Sequence, residues 1–483
     1  MSRLTKFIGT ASKGRNLRLG VIVLTILAAI LLGLKASVFW ILLPIVGIGG
    51  ALLIQYPYLG LLAIPVTALV VRTSFSTGTA VVLNMTTFLL MALIGLWVVR
   101  SLILRQPLFA SSRTNTPLML FLAFAALSLL IGNVMWKPSV PRSGSFLLVQ
   151  VAQWAIFALS AGAYWLTGRF AFTVTDLRHL ILVYLALAGS LAILFVIPGM
   201  GSFLYYHVAT GALNRAPFWM LLAAVSYGEL CYDEELSKGW RLFLVLVLMA
   251  VVSYIFYWNR DSASTWVTVV AVIGVITWMR WPAIRRLVLP LVLILTLTGV
   301  LTSTLYEFAG GDAEWEESGG SRLSLIRRVL EVSLHNPITG LGPASYRLYA
   351  GVEPLKYGQA VWFQPQINSH NNYVDVFAHT GIIGLGLFLW FIGEIGYLAW
   401  TLSQRYQKGF LGGYVSIMIG VWVGSNVLMM LADWMLPFVY NIGFTGFQAS
   451  APVWLFLGGL VTVENLAEAE TRTASNGSLD HHR

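Results

Sequence analysis

A chain of 483 residues with 58% hydrophobic and only 10% charged positions does not suit a soluble domain. There about a quarter of residues are charged, and apolar patches beyond a few hundred Å² invite aggregation. Its net charge of +10 does not mark a nucleic-acid-binding face, because Lys and Arg are scattered over short links between apolar runs, as topology signals are. The single cysteine, Cys231, excludes an intramolecular disulfide framework and reads as a small apolar helix residue.

In chain order, residues 1–17 form a basic tail with Arg3, Lys6, Lys13 and Arg15, and Arg18 follows directly. The apolar run from Leu19 has no small-residue cleavage site after it and is read as an anchor. A spanning helix needs about 20 mostly apolar residues. Fourteen segments qualify: 18–35, 38–54, 57–71, 79–99, 117–135, 147–166, 179–197, 216–231, 242–257, 264–279, 287–305, 378–400, 411–430 and 447–463. The expected fold is an all-α polytopic membrane protein, a bundle of about 12–14 transmembrane helices. Eleven spans fill 18–305, one long loop occupies 306–377, and three spans fill 378–463.

With the N-terminus in the cytoplasm, nineteen of the thirty Lys and Arg residues fall on the inner side. Six fall in short outer links and five in the long outer loop. This bias predicts a multi-pass protein with both termini cytoplasmic. Residues 464–483 are polar and are expected to be a disordered cytoplasmic tail. Arg215 and Arg260 run against the bias where short outer links meet the membrane. Snorkelling at a helix end explains such an arginine, and so does an anionic partner at the outer face.

The long loop opens acidic and flexible, from Glu307 to Glu317 and Ser318-Gly319-Gly320-Ser321. Its acidic run lacks EF-hand spacing, and no His/Asp/Glu set stands at metal-ligand spacing. In the segment Arg322–His335, Leu323, Ile326, Leu330 and Leu334 fall on one helical stripe. This predicts an amphipathic helix under a Ser321 cap, its stripe on the bundle or the membrane surface. Arg322, Arg327 and Arg328 lie on it. Asn336-Pro337 stops it, and Gly340 and Gly342 in Thr339–Pro343 allow positive φ or close backbone approach to a ligand. A stretch rich in Tyr, Trp and Gln then leads to Ser369-His370-Asn371-Asn372-Tyr373. A histidine beside two amides at the outer mouth of a bundle is poorly explained by packing alone. Asn371, Asp375 and His379 share one helical face, and His379 is expected to hydrogen-bond Asp375 in a structural role.

These residues resemble the O-antigen ligase and polymerase superfamily of bacterial envelope glycosyltransferases. Ala209–Asn214 resembles its Gly/Thr…Asn segment, and Asn259-Arg260 its Ser-Arg pair. Arg322 with His335–Pro343 resembles its Arg…Pro-x-x-Gly-x-Gly run. Ser369-His370-Asn371 followed by Gly381-Ile-Ile-Gly384 resembles its His-Asn…Gly-x-x-Gly signature. The match is specific over about 209–400; before that it is hydropathy and length. The chain departs from the pattern at Asn259, in place of Ser, and at Asp261, which could pair with Arg260 and weaken its pull on phosphate.

The resemblance implies a GT-C-like fold in the bacterial inner membrane. It also implies transfer of a glycan from a polyprenyl (undecaprenyl) diphosphate carrier to an acceptor hydroxyl at the outer face, by inversion, with no cofactor and no metal. His370, Arg260 and Arg322 would be catalytic, and Arg215, Arg260, Arg322, Arg327 and Arg328 would bind the donor diphosphate. Asn214, Gly340, Gly342, Asn371, Asn372 and Asp375 would support the glycan or the motif. The partners would be the lipid-linked oligosaccharide, a glycan, lipid A core or other hydroxyl acceptor, and the bilayer. Ligase and polymerase differ mainly in acceptor, and both stay open. The alternative class is a transporter or flippase of lipid-linked sugars, for which the deeply placed Glu229 and Glu394 would be the proton-path candidates.

Overall fold

The computed structural model describes residues 49–299, 320–357, 360–363 and 365–480. The chain divides into two compact units, Met1–Leu59 and Gly60–Arg483. Of the first, residues 49–55 are helical. Pro57, whose missing N–H costs nothing in a first turn, opens α1, Pro57–Leu69. The expected span 18–35 and most of 38–54 lie outside the described residues.

The second unit is nearly all helix. After α1, β1 (Ser74–Ser76) pairs antiparallel with β2 (Val82–Asn84). Then follow α2 (Met85–Leu104), α3 (Asn115–Val134), α4 (Phe146–Phe170) and α5 (Val174–Phe195). Next come α6 (Ala216–Tyr232), α7 (Lys238–Trp258), α8 (Ala263–Arg280) and α9 (Pro282–Leu297). The long loop contributes α10 (Gly320–Ser333), α11 (Tyr346–Ala350) and a hairpin of β3 (Leu355–Tyr357) with β4 (Ala360–Trp362). The last helices are α12 (Asn372–Arg405), α13 (Gly409–Leu431) and α14 (Gly443–Asp480).

Among the described residues, nine helices are long and apolar enough to cross a membrane: α2 to α5, α7, α8 and α12 to α14. The protein is an all-α polytopic membrane protein. The segment expected to span at 216–231 is the 17-residue α6, buried along most of its length. The expected span 287–305 ends as helix at Leu297, with residues from 300 outside the described set.

The apolar window of α14 is buried throughout, as suits a helix that is hydrophobic all round. It packs on α4; α8 packs on α13 and α6, and α12 on α3 and α13. The outer helices expose Leu102, Leu130, Val134 and Met249, a surface that lipid rather than water covers.

Two expectations are corrected here. The helix of the last span does not stop at Val463 in a disordered tail; α14 continues to Asp480. Its polar extension is tied by Arg405–Glu470 at 3.0 Å and by the i,i+4 pair Arg472–Glu468 at 3.1 Å. In the loop, α10 starts at Gly320, so Ser321 lies inside the first turn instead of capping it. Its buried face is Val329, Val332 and Ser333, whereas Leu323, Leu330 and Leu334 of the expected stripe are exposed. Of the two surfaces that stripe was expected to meet, packing leaves the bundle out.

Candidate functional site

The site grows from the start of α12. Asn371 caps this helix, its side-chain oxygen accepting the N–H groups of Tyr373 and Val374, and its amide reaches the Met430 carbonyl at 2.9 Å. The Ser369 hydroxyl accepts the Asn371 N–H at 3.0 Å and lies 2.7 Å from Asp375 Oδ1. This tight turn leaves His370 in the left-handed region, φ 49°, a conformation that non-glycine residues adopt sparingly and that clusters at functional sites. The imidazole is thereby presented to the surface, its side chain 35% exposed, with Nδ1 3.7 Å from Asp433 Oδ1.

Asp433 was not singled out from the sequence. It sits in the link between α13 and α14, its side chain 2% exposed, accepting from Asn441 Nδ2 at 3.0 Å to both oxygens and from the Phe438 N–H at 3.4 Å. The link is held from two helices far apart in sequence. Asn372, wholly buried, accepts the N–H groups of Met435 and Leu436 and donates to the Leu436 carbonyl. Gln153 of α4 accepts from the Val439 N–H at 2.7 Å and donates to the Pro437 carbonyl. The signal that marks these residues is polarity in an apolar setting: a carboxylate in a largely apolar link, and an amide within a span. Asn372→Ala would strand three buried backbone groups and is expected to destabilise the protein by about 2–4 kcal/mol. Thermal unfolding in detergent measures this, and an unchanged melting temperature would contradict the pinning.

Arginines gather around the same link. The Arg215 guanidinium lies 4.7 Å from the centre of the Trp434 ring. Burial lowers its pKa, while Tyr205, Asp433 and Tyr254 pull the other way, and an arginine so placed stays charged. Arg322 Nη1 approaches the Leu431 carbonyl at 3.4 Å, two residues before Asp433. His370, Asp433, Arg215 and Arg322 thus converge on 431–434, though they come from four different elements.

Beside Arg215 opens a cleft of about 460 Å³ lined by Asn214, Tyr205, Tyr254, Trp258 and Asn259. Two π-turns, Leu204–Val208 and Tyr254–Trp258, flank it; such bulges recur at functional positions. Arg260 follows Asn259 and is exposed. Among the described residues it makes no ion pair with Asp261, so the expected weakening by that neighbour is not seen. Arg327 and Arg328 are placed elsewhere: Arg327 pairs with Glu331 at 3.1 Å, and Arg328 with Glu353 at 3.3 Å. Neither is brought to His370.

The glycine-rich turn meets protein backbone. Helix α12 is broken at Gly381 (φ 65°, ψ −168°), and the turn pairs with the opened backbone. Leu341 and Gly342 donate to the carbonyls of Ala378 and His379, and Ile382 donates to that of Pro337. Gly340, φ 77°, lies so close that a Cβ there would stand 2.4 Å from the His379 carbonyl carbon. Gly340→Ala is expected to cost at least ~2 kcal/mol, whereas Gly386→Ala, which meets open space, should leave the melting temperature unchanged.

The expected His379–Asp375 hydrogen bond is absent. The His379 imidazole is instead wholly buried, stacked on Tyr346 (5.3 Å) and tilted against Phe438 (5.6 Å). Asp375 is engaged by Ser369 instead. Among the described residues no group of three or more His, Cys, Asp or Glu could hold a metal ion.

Compared with known proteins, residues 244–389 match the family model described as O-Antigen ligase. The matched stretch includes Arg260, Arg322, Gly340, Gly342 and His370, and leaves out Asn214, Arg215 and Asp433. No curated protein gives a significant match.

Proposed function

Because the chain belongs to the O-antigen ligase and polymerase superfamily, a group of glycan-transferring membrane proteins, we propose that it moves a glycan from a polyprenyl diphosphate carrier to an acceptor hydroxyl. The observation that carries this reading is the convergence of His370, Asp433, Arg215 and Arg322 on one short link. The distribution of Lys and Arg supports a site on the non-cytoplasmic face, and the family resemblance implies the bacterial inner membrane.

The chemistry follows from the placement. With Nδ1 facing the Asp433 carboxylate, the other ring nitrogen of His370 is available to take the acceptor O–H proton. The acceptor oxygen forms a bond to the anomeric carbon as the bond to the carrier diphosphate breaks. The departing diphosphate takes the electron pair, and its charge falls to Arg215 and Arg322, with Arg260 next in the chain to Asn259 of the neighbouring cleft. Planar guanidinium forks bind phosphate oxygens in pairs. Attack opposite the diphosphate inverts the anomeric centre, and no step calls on a metal or cofactor. The exposed aromatic side chains Tyr205, Tyr206 and Trp258 around the cleft suit the approach of a lipid carrier from the bilayer.

Of the two candidates for the transporter reading, Glu229 is buried in α6 and Glu394 is already partnered. Glu394 accepts from Arg113 at 2.9 and 3.3 Å and from Trp390 at 3.1 Å, so it is a paired carboxylate. Purified protein supplied with a synthetic polyprenyl-diphosphate oligosaccharide should glycosylate a hydroxyl acceptor and release the carrier diphosphate. Products built on a second carrier-linked repeat would identify a polymerase, and products on lipid A core a ligase. Proton-coupled sugar uptake by vesicles, without transfer, would overturn the reading.

A further inference from the structure

A second cavity, of about 690 Å³, opens between α11 and the 433–442 link, lined by Arg347, Gln366, Tyr440, Pro141, Pro365 and Ala80 among others. Its volume is in the range of small-molecule sites. Arg347 Nη1 donates to the Tyr440 carbonyl at 2.7 Å and Nη2 to Gln366 Oε1 at 2.5 Å, and its Cζ lies 5.2 Å from the centre of the Tyr440 ring. These partners are all neutral. Among the described residues no carboxylate comes within ion-pair distance of Arg347. The guanidinium is therefore a partly buried charge without a counter-charge, its pKa lowered by burial. Such a placement costs stability unless an anion completes it.

Two of its lining residues are chain neighbours of residues that touch the link carrying Asp433. Tyr346, next to Arg347, stacks on Phe438 at 4.6 Å, and Asn441, next to Tyr440, holds Asp433. We propose that this cavity binds an acidic sugar residue of the glycan being transferred, with the sugar carboxylate on Arg347. Proline and tyrosine surfaces suit the apolar face of a sugar ring, the Gln366 amide suits a hydroxyl, and a planar guanidinium matches a planar carboxylate. The assignment rests on the glycan-transfer reading, and it makes the protein selective for uronic-acid-bearing chains.

The test is direct binding to the purified full chain, with no transfer required. The probes are a galacturonic acid tetrasaccharide and the same tetrasaccharide with every carboxylate reduced to the alcohol. The acidic probe should bind roughly ten- to hundredfold more tightly, the range expected for one charge-assisted pair. Arg347→Gln should remove that preference, and Ala80→Trp, which fills the cavity from its exposed rim, should weaken binding without touching the arginine. His370→Ala should keep the preference intact. Equal binding of the two probes by the unaltered protein would overturn the proposal, as would a preference that survives both Arg347→Gln and Ala80→Trp. A transfer reaction that proceeds normally beside equal probe binding would sink this inference and leave the function standing. Acid-selective binding without any transfer would overturn the glycan-transfer reading and, with it, the assignment of this cavity to a transferred glycan.

Discussion

His370→Ala should lower the rate of glycan transfer by about 10²–10⁴-fold, the usual contribution of a positioned general base, while the protein keeps its melting temperature. The side chain is one-third exposed and its ring is spent on no packing contact comparable to the buried His379 stack, so little stability is at stake. Asp433→Asn should also slow transfer, because an amide no longer favours the imidazolium that forms as the acceptor loses its proton. The informative comparison is the double variant. Asp433 is a positioning residue that acts through His370, so His370→Ala combined with Asp433→Asn should be no slower than His370→Ala alone, as grossly non-additive units are. Multiplying losses would show that Asp433 works by another route, and full activity in His370→Ala would remove the proposed base altogether.

Arg322→Ala and Arg215→Ala are each expected to cost roughly 10²–10³-fold, the effect of deleting one preorganised group that stabilises charge developing in the transition state. The loss should fall on kcat, since the diphosphate gains charge only as the glycosidic bond breaks. A rise in KM with kcat unchanged would make these arginines carrier-binding groups without a part in the chemistry. Arg322→Lys should recover only part of the rate, because a lysine keeps the charge and loses the fork. Arg327→Ala and Arg328→Ala, whose partners are Glu331 and Glu353, should leave kcat close to that of the unaltered protein.

The fold class was legible because bulk apolarity admits one solvent, and because spans such as α3 and α13 are long, uncharged runs. Where a segment was ambiguous, the reason is physical. Residues 216–231 and a lipid-facing span have the same composition, and only packing shows that α6 is buried in protein. The stripe of α10 was legible as a period but not as a direction, since periodicity does not say which face meets the bundle. His370 and Arg322 announced themselves by lying in polar motifs. Asp433 did not, because its meaning comes from His370, more than sixty positions earlier, brought beside it by the pinning of Asn372 and Gln153. Nor could spacing show that Gly340 serves a broken helix: the break at Gly381 is a property of two segments together.

That pinning bears on modularity. The family match begins at residue 244, yet the acid beside the histidine is steered by an amide at position 153, and the carbonyl of Phe444, just past the link, by Asn84 at 2.5 Å. The stretch 244–389 is therefore not a transplantable cassette. Grafted onto another set of helices it would bring the proposed base and two of the proposed diphosphate arginines, but neither the Asp433 carboxylate nor the scaffold that aims it. Swaps with other members of the family should succeed only when the early helices travel with the late ones.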